Sequence, residues 1–145
     1  MPNHFHFLIK TTNQSVEIRN IGSLKMNAIT NGFRVLLSSY SQAINKQEGR
    51  SGSLFRQKTK FKLLEPSNEN YPRICFNYIH QNPLTAGLVA KMEDWEFSSF
   101  RDYADIRSGS LCNQKLAYYL LDSDRERFYE ESYQLIDAKK AHAIF

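Results

Sequence analysis

The stretch SNENYPRICFNYIHQNP, residues 67–83, decides how the chain is expected to fold around its most reactive side chains. It predicts a helix that begins near Ser67 or Asn68 and carries Pro72 in its first turn. The helix is expected to run to Pro83, whose ring disfavours a helical conformation at Asn82. The side chains expected on the inner face of this helix are Tyr71, Ile74, Cys75, Tyr78, Ile79 and Asn82. The helix should therefore form one wall of the core.

Apolar residues outside this helix recur with periods that predict further strands and helices. Alternation over residues 1–9 and again over residues 54–64 predicts two strands, each with one side available for packing. Steps of three and four residues over residues 24–44 predict an amphipathic helix. A short helix is expected over residues 98–103, and a mostly helical tail from about residue 115 to residue 141.

Length and composition set the class of protein. The chain has 145 residues, which fits one domain, and its 41% hydrophobic and 13% aromatic content excludes global disorder. No apolar run approaches the roughly 20 residues that cross a bilayer, and no secretory signal pattern is present, so a cytoplasmic protein that avoids membranes is expected. Two cysteines are too few for a disulfide framework.

The positive charge is concentrated in the first half of the chain. Residues 1–64 carry ten Lys and Arg against two acidic residues, whereas residues 65–145 carry nine against thirteen. Such a basic half suits a phosphate backbone, although a solvated basic surface on an ordinary protein is the alternative. Four cations alternate along one side of the strand predicted over residues 54–64: Arg56, Lys58, Lys60 and Lys62.

Two histidines in the first predicted strand have a spacing that suits a metal ion. His4 and His6 are two residues apart, so a strand would place both imidazoles on one face. A Mg²⁺ or Mn²⁺ ion held there would need an oxygen ligand as well, and it would leave room for a phosphate oxygen. The alternative is a pair of half-exposed strand histidines without a ligand.

The predicted helix over residues 67–83 carries a second candidate group. Tyr78 and Asn82 are one turn apart on the same side, so that a hydroxyl and an amide oxygen could approach one metal-phosphate site. A functional Tyr78 would be a nucleophile, whereas the alternative is a tyrosine packed in the core. His80 lies on a different side and is expected to be structural or to contact phosphate.

Four blocks of sequence, in this order, resemble the REP-associated tyrosine transposases, which are single-tyrosine members of the HUH group. The blocks are MPNHFHFLI at residues 1–9, GSLF at residues 52–55, YIHQNPLTAGLV at residues 78–89 and DWEFSS at residues 94–99. Together they cover residues 1 to about 103. The resemblance implies an HUH-type catalytic domain over residues 1–103, with residues 104–145 as a helical C-terminal extension of the same domain.

The resemblance also implies a fold and a chemistry. The expected fold is α+β, with a small, mostly antiparallel, ferredoxin-like sheet and helices on one face. His4 and His6 would bind Mg²⁺ or Mn²⁺, and Asn82 would complete the metal shell. Tyr78 would attack a phosphate of single-stranded DNA, leaving a 5′-phosphotyrosine and a free 3′-hydroxyl.

The implied partners are single-stranded DNA hairpins of the repetitive extragenic palindrome type. The cations at positions 56, 58, 60 and 62 would follow the DNA backbone and make binding salt-dependent. A homodimer is also possible within this resemblance, since an uncovered sheet edge can pair with a second copy.

The sequence departs from the family pattern in two places. Family members carry a further segment before the first block, including a strand beside the histidine strand, whereas this sequence begins at the block itself. We therefore expect a sequence that lacks the N-terminal portion, either because the true start lies upstream of Met1 or because the gene is a truncated remnant. The alternative function is a catalytically inactive remnant that binds hairpin DNA noncovalently. Thr85 stands where relatives often have Arg or Lys, so one phosphate contact is expected to be lost.

Overall fold

The computed structural model describes residues 5–55, 60–64 and 70–136. It is a mixture of helices and strands, which confirms the mixed α and β class. The elements, in order, are α1 (Asn13–Val16), β1 (Ile18–Ile21), β2 (Leu24–Asn27), α2 (Ala28–Gln47), α3 (Tyr71–Thr85), a 3₁₀ turn (Met92–Asp94), α4 (Phe100–Tyr103), α5 (Gln114–Leu121) and α6 (Phe128–Ser132).

The chain divides into two compact units. One comprises residues 9–62, and the other comprises residues 1–8 together with residues 63–145. Among the described residues, no helix combines the length and the apolar character needed to cross a membrane.

A β-hairpin begins the 9–62 unit. Strands β1 and β2 pair antiparallel, from Ile18 opposite Asn27 to Ile21 opposite Leu24. The two residues between the strands include Gly22, whose φ of +61° is the left-handed conformation that a two-residue hairpin turn requires. These two strands form the sheet of the described residues, so a larger ferredoxin-like sheet is not seen there.

Helix α2 begins later than its apolar periodicity predicted. The helix was expected from Leu24, but the first four residues of that range form strand β2, and α2 starts at Ala28. Asn27 marks the change because its side-chain oxygen accepts a hydrogen bond of 2.8 Å from the backbone N–H of Thr30. This N-cap satisfies a donor in the first turn, which a spacing of apolar residues alone does not locate.

The two long strands predicted from alternation are wrong wherever the structure describes them. Residues 5–9 and 60–64 belong to no strand, while residues 1–4 and 56–59 lie outside the described residues. The alternation itself persists, since the rings of Phe5 and Phe7 lie on one side with their centroids 5.2 Å apart. Alternation sets which side chains share a face, but a strand also needs a partner for its backbone hydrogen bonds.

Aromatic side chains build the core of the second unit. Helix α3 and the residues that follow it bury a cluster to which both the expected catalytic region and its C-terminal extension contribute: Phe76, Met92, Phe100, Tyr103, Leu121 and Phe128. The tail predicted to be mostly helical is interrupted. Helix α5 ends at Leu121, the next residue Asp122 has a left-handed φ of +46°, and α6 starts only at Phe128.

Helix α3 continues through the proline that was expected to end it. Pro83 lies inside the helix, and the predicted displacement of Asn82 from helical conformation is wrong. Both residues are buried, so tertiary packing outweighs the local preference of a residue before proline. The helix ends two residues later, at Thr85, and just beyond it Gly87 adopts a left-handed φ of +67° and donates its N–H to the Leu84 carbonyl.

Candidate functional site

The second histidine of the predicted metal pair lies beside the predicted nucleophile. The rings of His6 and Tyr78 are nearly perpendicular, with an interplanar angle of 89° and centroids 6.0 Å apart. Both side chains are partly exposed. Two residues that are far apart in sequence, and that were selected for one reaction, are therefore neighbours within one compact unit.

Asn82 follows Tyr78 by one turn of α3, and its side-chain oxygen is buried. The residue is only 6% exposed, and its side-chain oxygen accepts no hydrogen bond from the residues that the structure describes. A buried carbonyl oxygen without a donor is costly unless something else occupies its lone pairs. A divalent cation is one such partner, since Mg²⁺ and Mn²⁺ prefer oxygen ligands.

The His6 imidazole and the Asn82 amide oxygen are types of ligand that suit the expected Mg²⁺ or Mn²⁺ ion. An imidazole at His6 and an amide oxygen at Asn82 are two of the three predicted ligands, and His4 lies outside the described residues. Within residues 5–55, 60–64 and 70–136, no three His, Cys, Asp or Glu side chains are grouped to hold a metal ion. The imidazole pair with an amide oxygen stays a prediction.

His80 belongs to the core and not to a phosphate-binding surface. It is 1% exposed, and four aromatic rings surround it at centroid distances of 4.5 to 6.1 Å: Phe76, Phe100, Tyr103 and Phe128. Its Nε2 shares a hydrogen bond of 2.9 Å with the Ser99 hydroxyl. Of the two roles expected for His80, the structural one is confirmed.

The burial of His80 makes stability depend on pH. Desolvation lowers the pKa of its imidazole from 6.5 to about 3, so the unfolded chain binds a proton at pH values where the folded chain does not. The free energy of unfolding should therefore fall as pH drops from 6.5 toward 3, by up to about 1.4 kcal/mol per pH unit. Urea unfolding between pH 7 and pH 5 measures this slope, and His80→Gln should flatten it. An equally steep slope in that variant would exclude His80 as its source.

Gln81 ties the tyrosine helix to the C-terminal extension, a role that its sequence position did not reveal. The side chain is 2% exposed, and its amide nitrogen donates to the carbonyls of Ser132 and Gln134 at 2.7 and 2.9 Å. Its amide oxygen accepts from the backbone N–H of Ile136 at 3.1 Å. One buried side chain thus secures three backbone groups that lie more than fifty residues further along the chain.

Arg107, which lies outside the four sequence blocks, fixes the loop that carries Ser99. Arg107 donates to the backbone carbonyls of Glu96 and Ser98 at 2.8 and 3.0 Å, and it contacts both carboxylate oxygens of Asp102 at 2.7 Å. This pairing lowers the pKa of the buried Asp102 carboxyl. The loop that presents a hydroxyl to His80 is thus anchored by Arg107 through two of its backbone carbonyls.

The four predicted DNA-binding cations divide between described and undescribed residues. Lys60 and Lys62 are exposed and belong to the 9–62 unit. Arg56 and Lys58 lie outside the described residues. Since residues 60–64 form no strand, the prediction that the cations alternate along a strand face is wrong for the described pair.

No protein-family model, curated protein or solved structure matches this chain.

Proposed function

We propose that the chain nicks and rejoins single-stranded DNA at hairpin repeats, as a transposase-like enzyme with Tyr78 as its nucleophile. The observation that carries this proposal is the contact of the His6 and Tyr78 rings at 6.0 Å between centroids. The buried side-chain oxygen of Asn82, one turn away, accepts no hydrogen bond from the described residues, which also supports the proposal. The REP-associated transposase resemblance of the motifs around these residues supplies the reaction.

In the proposed reaction, the Tyr78 oxygen forms a bond to the phosphorus of a DNA phosphodiester while the bond to the 3′ oxygen breaks. The phenol loses its proton, the departing 3′ oxygen gains one, and the 5′ side stays attached as a phosphotyrosine. Attack by a 3′-hydroxyl on that phosphotyrosine reverses the exchange and joins strands. No nucleotide cofactor is needed, because the phosphodiester bond is replaced by a phosphotyrosine ester.

A divalent cation, Mg²⁺ or Mn²⁺, held by His4, His6 and Asn82 would polarise the phosphate. The chain contributes the position of the nucleophile. Tyr78 is in the middle of α3, and both the Gln81 hydrogen bonds and the buried His80 hold that helix on its core. Rigid support of this kind keeps a reacting atom in place.

A noncovalent DNA-binding module is the second candidate, and one observation favours it. Residues 5–9 form no strand, so the chain beside His6 lacks the sheet that would fix a metal ligand most firmly. Such a module would bind hairpins through the basic 9–62 unit without cleaving them.

A denaturing gel separates the two candidates. The full chain is incubated with labelled single-stranded hairpins, taken from repeats that flank its gene, in Mn²⁺ or in EDTA. The enzyme should give a shifted band in Mn²⁺ that EDTA removes. Binding in a native gel without any denaturation-resistant band would reject the enzyme and leave the binding module.

A further inference from the structure

The 9–62 unit displays aromatic rings instead of burying them. None of the described residues of this unit is buried, although helix α2 alone carries seven large apolar side chains. Tyr40 is 54% exposed and Phe61 is 63% exposed. Rings exposed to this degree contribute little to a core, so their surface is available to a ligand.

These rings form two pairs on one side of α2. The Phe33 and Phe61 rings meet at 73° with centroids 5.9 Å apart, and the Tyr40 and Phe55 rings meet at 47° with centroids 6.0 Å apart. Phe33 and Tyr40 are seven residues apart, which places them on the same side of the helix with about 10 Å between them along its axis. Each pair contains one well-exposed ring.

The charge around the two ring pairs is positive. Lys60 and Lys62 are exposed on either side of Phe61, and Arg34 follows Phe33 in α2. The whole unit carries ten Lys and Arg and only two acidic residues. Exposed rings among cations are the surface on which unpaired bases stack while the phosphates are neutralised. An acidic protein partner would match the charge but would not need two spaced ring pairs.

We infer that the two ring pairs on α2 are stacking platforms for unpaired bases of single-stranded nucleic acid. Stacking accepts every base, so binding here should depend little on sequence. Neither Tyr78 nor a metal ion takes part. Base stacking on α2 is therefore independent of the proposed nicking activity, and either can fail without the other.

Fluorescence anisotropy with a labelled oligo-dT strand in EDTA tests the platform on the full chain. Tyr40→Leu and Phe61→Leu should each weaken binding by about tenfold, because each removes a ring that stacks on a base. Tyr119→Leu is the matched control, since Tyr119 is 81% exposed in α5 of the other unit, and it should bind as the unchanged chain does. Circular dichroism melts confirm that each variant is folded.

A second pair of variants tests the phosphate contacts. Lys60→Gln and Lys62→Gln should each reduce the slope of log affinity against log salt by about 0.7, the value for a single-strand phosphate contact. Unchanged oligo-dT affinity in the Tyr40→Leu/Phe61→Leu double variant would overturn the inference. A change of its sedimentation coefficient at unchanged affinity would also overturn it, and would identify the rings as an interface between copies of the chain.

Discussion

Replacing Tyr78 with phenylalanine should abolish the covalent DNA adduct and leave noncovalent hairpin binding nearly unchanged. The variant keeps the ring that contacts His6 at 6.0 Å and removes only the hydroxyl that would bond to phosphorus. Loss of a nucleophile costs roughly 10³-fold or more in rate, so the shifted band should vanish from a denaturing gel. Helix α3 should fold normally, because Tyr78 is only partly buried and the substitution removes a single oxygen atom.

A matched variant separates the role of Tyr78 from a general effect of losing a phenol. Tyr119→Phe removes a hydroxyl from an exposed tyrosine of α5, and its adduct yield should equal that of the unchanged chain. Adduct that persists in Tyr78→Phe would remove Tyr78 from the chemistry. A parallel loss of hairpin binding in a native gel would assign it to DNA binding instead.

Replacing Gln81 with leucine should cause the largest loss of stability among changes next to the site. The variant leaves the carbonyls of Ser132 and Gln134 without their donor and the N–H of Ile136 without its acceptor. Because an unsatisfied buried group costs about 1–3 kcal/mol, we expect a loss of about 3 kcal/mol in the free energy of unfolding. Hydrogen exchange at Ile136 should accelerate as the segment detaches.

Gln134→Leu provides the control for that prediction. Its side chain is exposed and its backbone carbonyl stays in place to accept from Gln81, so urea unfolding should change by less than about 0.5 kcal/mol. A loss below about 1 kcal/mol in Gln81→Leu would show that the C-terminal extension does not depend on this side chain.

Helical periodicity predicted more of the fold than alternation did. The spacing around Tyr78 predicted a helix that the structure places at Tyr71–Thr85, because i, i+4 contacts are local and need no distant partner. The strand predicted over residues 54–64 does not form in its described part, since a strand depends on a neighbour that the pattern does not reveal. The hairpin was missed because its second strand, Leu24–Asn27, is short and continues the apolar pattern of α2.

The residues expected to react or to bind a metal ion could be selected from the sequence. The residues that hold them in place could not. Tyr78 and Asn82 were selected from their spacing, and the structure places the Tyr78 ring beside that of His6. The role of Gln81 depends on carbonyls in the C-terminal extension, and no spacing within α3 indicates those partners. The exposure of rings such as Tyr40 was not predicted, because apolar residues at helical spacing are ordinarily core residues.

Mass spectrometry of the covalent product identifies the residue that becomes bonded to DNA. Trypsin cleaves after Arg73 and Lys91 and releases residues 74–91, a peptide whose only tyrosine is Tyr78. After reaction with a hairpin in Mn²⁺ and digestion of the DNA, this peptide should carry a nucleotide mass on Tyr78, and EDTA should remove it. A nucleotide on another peptide, or an unmodified peptide from a chain that binds the hairpin, would contradict the assignment of Tyr78 as the nucleophile.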